Sequence, residues 1–70
     1  MIELSQTINA HFIHGERGLL YRVLIAFAPR VGDELRFPGE KYFSVVRLVW
    51  VYDEPEAKFA RLNVEIKEVA

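Results

Sequence analysis

The chain has 70 residues, no cysteine, a formal net charge of −1, and 51% hydrophobic against 27% charged residues. That length and composition make one small globular domain rather than a disordered segment. Disulfide staples and cysteine-based metal clusters are excluded, and the near-neutral charge argues against a strongly cationic nucleic-acid binder or a polybasic membrane anchor. With stability marginal at this size, the remaining aids are dense packing and association with another chain.

The opening residues, MIELSQTI, lack a basic stretch followed by an apolar one, so no signal peptide is read. The longest apolar run, residues 19–29, is interrupted by Arg22 and is too short to span a bilayer. The expectation is a soluble, cytoplasmic protein consisting of a single domain over residues 1–70.

Glycine, proline and acidic residues cluster at 15–18, 29–33, 38–41 and 53–56. Each cluster supplies positive φ, a fixed φ or a side-chain acceptor for local amides, and so marks a turn. Five segments with a two-residue rhythm lie between them.

The first segment is residues 2–14, with Ile2, Leu4, Ile8, Ala10 and Phe12 on one parity. A helix over 5–14 competes, because Leu4, Ile8 and Phe12 are also spaced by four and Gly15 would stop it. The β-branched Thr7, Ile8 and Ile13 favour the strand. The second segment, 19–28, sets Leu19, Tyr21, Val23, Ile25 and Phe27 against Leu20, Arg22, Leu24, Ala26 and Ala28. The third, 34–37, points Leu35 and Phe37 inward. The fourth, 42–52, carries Tyr42, Val46, Leu48, Trp50 and Tyr52 on one parity and Val45, Arg47, Val49 and Val51 on the other. The fifth, 61–69, alternates Leu62, Val64 and Ile66 with Arg61, Asn63, Glu65 and Lys67, giving one buried and one wet face. One helical turn is allowed over 56–60.

Short connections predict an all-β fold, a five-stranded antiparallel meander curled into a small barrel. The alternative is an α+β fold with an N-terminal helix on a four-stranded antiparallel sheet. Val31-Gly32-Asp33, the short segment 34–37, the Pro38-Gly39 turn and the long segment 42–52 together resemble the wall of an SH3-like barrel. The likeness is of fold only and implies no activity. The expected core is Val23, Ile25, Val46, Leu48, Trp50, Val64 and Ile66.

Chemistry is sparsely represented. His11 and His14 point to opposite faces of a strand, so they do not chelate one metal together. Ser44 sits in a strand without the Gly-x-Ser-x-Gly elbow that exposes a nucleophile. The acids Asp33, Glu34, Asp53, Glu54 and Glu56 fall in turns, where solvated carboxylates are the rule, and the four glycines stand singly rather than in a phosphate-cradling loop. No catalytic residue, metal ligand, cofactor or small-molecule ligand is implied, and an enzyme is not expected.

Two segments are apolar on both parities. A barrel interior absorbs only one, so Leu20, Arg22, Leu24, Val45, Arg47, Val49 and Val51 are expected on an outer face. Leaving each Val or Leu exposed rather than buried forgoes about 1.5–3 kcal/mol, and soluble monomers rarely present large apolar patches. The function read from this is a protein–protein interaction module, self-associating as a homodimer or binding another protein through that face. The alternative is a small nucleic-acid-binding barrel using Arg36, Lys41, Tyr42, Arg47 and Tyr52 for phosphates and stacking. Nucleic acid is the less expected partner, because Glu34, Glu40, Asp53 and Glu54 lie among those residues.

Overall fold

A computed structural model of the chain describes residues 8–52 and 60–69. The described residues form β1 (Ile8–His14), β2 (Gly18–Ile25), β3 (Glu34–Arg36), β4 (Tyr42–Val51) and β5 (Ala60–Glu68), with no helix among them. Residues 8–14 are a strand, so the α+β alternative fails over that stretch; residues 2–7 lie outside the described residues, as does the helical turn allowed over 56–60 except for Ala60, which begins β5.

The sheet is not a meander. Its order is β2-β1-β5-β4-β3, and β1 pairs with β5 in parallel while the other pairs are antiparallel. β5 lies between two hairpins and has hydrogen-bonded neighbours on both edges. Its alternation fits that place: Leu62, Val64 and Ile66 are buried, and Arg61, Asn63 and Glu65 occupy the opposite, half-covered face. The mixed sheet curls into a half-barrel rather than a closed antiparallel barrel.

The concave side holds the core of Ala10, Phe12, Phe43, Val45, Leu62, Val64 and Ile66. Rows across the sheet follow from the register. Tyr21, Phe12, Val64 and Leu48 form one row, and Val23, Ala10, Leu62 and Trp50 form the next. Phe37, just after β3, plugs the end nearest the β1–β2 turn. Its ring lies 4.1 Å from Tyr21, 5.1 Å from Phe12 and 6.1 Å from Phe43.

Two irregularities change which side chains reach the core. In β4 the register shifts between Val45 and Arg47, leaving Val46 without an opposite residue on β5. The extra residue of such a bulge reverses the inward parity beyond it. Phe43 and Val45 point in before it; Leu48 and Trp50 share the core face after it. Val45 is therefore 1% exposed and Val46 45% exposed, the reverse of a strict alternation. In β2, Phe12 opposes Tyr21 and Ile13 opposes Leu19, so Leu20 is the unmatched residue; it packs against the core.

Turn chemistry is local and specific. Glu40 N donates to Phe37 O at 3.0 Å across Pro38-Gly39, and Gly39 has φ 77. Proline and a positive-φ glycine in that order form a type II turn. Asp33 N donates to Arg30 O at 3.0 Å, and Asp33 Oδ2 accepts from Arg30 N at 2.9 Å, locking the entry to β3.

Candidate interaction surface

Among the described residues, one end of the half-barrel is closed and the other is open. At the closed end the β1–β2 turn meets the β3–β4 turn. Arg17 donates to both carboxylate oxygens of Glu40, at 3.1 and 3.2 Å. This hydrogen-bonded guanidinium holds the Glu40 carboxyl below its ordinary range. His14 Nδ1 accepts from the amides of Glu16 and Arg17, both at 3.2 Å, and caps the same turn.

The open end lies where β2 and β4 finish and β1 and β5 begin. β3 covers only Tyr42 to Ser44 of β4, with two further bonds linking Val45 to Gly32 and Asp33. Among the described residues, nothing pairs with the same edge of β4 over Arg47 to Val51. The concave row at this end is only partly covered by the described residues. Val23 and Trp50 share a face with the fully buried Ala10 and Leu62, yet they are 39% and 43% exposed. Phe27, 84% exposed, lies two residues past the end of β2, and Tyr52 directly follows β4.

The seven residues expected to share one outer face do not form one surface. β2 and β4 are separated by β1 and β5. Val45 is in the core, and Leu20 packs against it through the β2 bulge. Arg22 and Leu24 sit on β2, while Arg47, Val49 and Val51 sit on β4 opposite Glu65, Asn63 and Arg61. Arg47 lies 3.8 Å from Glu65. The expected core is also only partly realised: Val64 and Ile66 are buried, Ile25 and Leu48 pack against the core, and Val23, Val46 and Trp50 are exposed.

Of the residues named for nucleic acid, Arg36, Lys41 and Tyr42 come together around a surface hollow of about 440 Å³. Glu34 and Glu40 line the same hollow, and the Arg36 guanidinium sits 5.3 Å from the centre of the Tyr42 ring, over one of its faces. Arg47, further along β4, and Tyr52, just beyond it, are not part of this hollow. His11 and His14 lie on opposite faces of β1, as their spacing on a strand requires. Ser44 is half-buried in β4 opposite Lys67. A larger hollow, about 580 Å³, opens between the β1–β2 turn and the end of β5, lined by charges of both signs: Glu16, Arg17, Glu65, Lys67 and Glu68.

The exposure of Trp50 was not legible in the sequence, where its parity placed it among core residues. That exposure follows from how little of β4 is flanked by β3, which residue parity does not encode. The Val45-Val46 doublet, of which only Val45 has a partner across the ladder, hid instead which valine faces the core. No protein-family model matches the chain, and no curated protein or solved structure is significantly similar to it.

Proposed function

We propose that this chain is a small protein–protein interaction module that self-associates as a homodimer. The observation that supports this reading is that Trp50 points to the core face yet is 43% exposed. Burying an aromatic of that size is among the larger gains open to a small domain. Val23, Phe27 and Tyr52 extend the same uncovered end.

The expected partner is thus a second copy, engaged through the open end rather than through a continuous outer face of β2 and β4. The resemblance of residues 31–52 to the wall of an SH3-like barrel rests on turn pattern alone, and no activity is taken from it. Neither an enzymatic role nor a cofactor is proposed. The nucleic-acid reading is less favoured, because acidic residues share the hollow with Arg36 and Lys41, and Arg36 already covers Tyr42.

Trp50 is the only tryptophan, so it reports on its own surroundings. Light scattering across a concentration series should give a mass rising to twice that of the chain. The Trp50 emission should shift to the blue over the same range. A constant monomer mass and an unchanged emission would defeat the proposal.

A further inference from the structure

We infer that the dimer forms by antiparallel pairing of β4 with β4 of a second copy, along the edge from Arg47 to Val51, about a two-fold axis through Val49. The inference rests on the self-association reading and specifies its geometry.

Three observations lead to this edge. First, β4 is the longest strand, and β3 spans only three residues of it, leaving the Arg47–Val51 edge without a described backbone partner. Unpaired edges are templates for another strand, and natural proteins usually block them. Second, the other outer edge is guarded. Over its upper part β2 carries the Leu20 bulge, and Phe37 stacks against Tyr21, leaving only Arg22 to Ile25. Third, a closed two-fold pair of identical strands must be antiparallel, with its axis on a residue if both copies keep the same face inward. The free run is centred on Val49, so this register alone pairs its full length.

That register is self-complementary. Val49 meets its own copy on the outer face, and Arg47 meets the second copy's Val51. On the core face Leu48 meets the second copy's Trp50, twice. No two like charges stand opposite one another, which is the condition a self-pairing strand must satisfy. The two concave faces become continuous across the seam, so Trp50, 43% exposed, gains cover from the second copy. An unrelated extended segment docking on the same edge is the competing occupant, and the test separates the two.

The test uses the full chain as wild type, Val49→Glu and Val49→Lys, each alone and the two variants mixed in equal amounts. Folding is followed by circular dichroism and mass by analytical ultracentrifugation. The wild type is expected to be a dimer, each variant a folded monomer, and the mixture a dimer again, because glutamate then faces lysine at the axis. As a measurement that needs no variant, amide exchange at Arg47 to Val51 should slow as wild-type concentration rises. A Val49→Glu chain that remains dimeric, or a concentration series that leaves the 47–51 amides unchanged while mass doubles, overturns this edge and leaves self-association standing. A wild type that stays monomeric throughout overturns both.

Discussion

Phe37 stacks on Tyr21 with centroids 4.1 Å apart and planes 23° from parallel. Tyr21 belongs to the strand at one margin of the sheet, and Phe37 follows the strand at the other. The contact therefore joins the two margins and makes the curl. Replacing Phe37 with Ala should cost about 3 kcal/mol, at the lower end for a large aromatic because the site is half-buried. Chemical denaturation checks this. A loss below about 1 kcal/mol would show that the stack follows the curl rather than holding it.

The β4 bulge gives adjacent valines opposite fates. Val45→Ala should cost about 2 kcal/mol, two methyl groups' worth of transfer plus a cavity. Val46→Ala should stay within about 0.5 kcal/mol, as exposed substitutions do. Strict alternation along the strand predicts the reverse order, so denaturation of the pair decides between the two readings.

Where alternation is unbroken, the sequence told the truth. β5 shows it best: Leu62, Val64 and Ile66 are all buried. The all-β class and the positions of the described strands were likewise readable from turn residues and period. Strand order was not, because a central β5 with one parallel and one antiparallel neighbour needs the same alternating pattern as a meander strand between two antiparallel ones. Bulges were not readable either. Val45-Val46 and Leu19-Leu20 are doublets of like residues, and nothing in their chemistry says which member lacks a partner. The candidate surface inherited both errors. Val45 and Leu20 were placed outward, and Trp50 inward without its exposure; Val49 and Val51 alternate with Leu48 and Trp50 along β4.

The turn at residues 15–17 depends on a histidine acceptor. His14→Ala leaves the amides of Glu16 and Arg17 without Nδ1, and should cost about 1 kcal/mol, the usual net worth of such a bond. His14→Asn, whose side-chain oxygen can accept in a similar place, should recover part of the loss. Equal destabilisation by both would assign the effect to the edge-on contact of His14 with Phe43 instead.

Acid should loosen the closed end. Arg17 holds the Glu40 carboxyl below its ordinary range. A carboxyl with a depressed folded-state value contributes stability above its unfolded value and loses it as pH falls through the folded one. Thermal midpoints between about pH 7 and about pH 3 should therefore fall with acidification, and Glu40→Gln should flatten part of that decline. An identical profile for wild type and Glu40→Gln would show that the pair, which is solvent-accessible, contributes nothing measurable.

The place of β5 has a consequence for how the chain reaches this state. Two hairpins, β1–β2 and β3–β4, can each close locally, but neither touches the other along the sheet. The strand that joins them is the last of the five, and its first residue pairs with the first residue of β1. Such distant pairing delays folding, because the entropy of closing the chain must be met before any long-range contact rewards it. Until β5 docks, no strand pairing holds the two hairpins together, and side-chain contacts such as those of Phe37 and of Arg17 with Glu40 are left to link them. Assembly should thus be a single late, cooperative event, with refolding in milliseconds to seconds rather than microseconds, and a chain ending before Ala60 should hold no stable sheet at all.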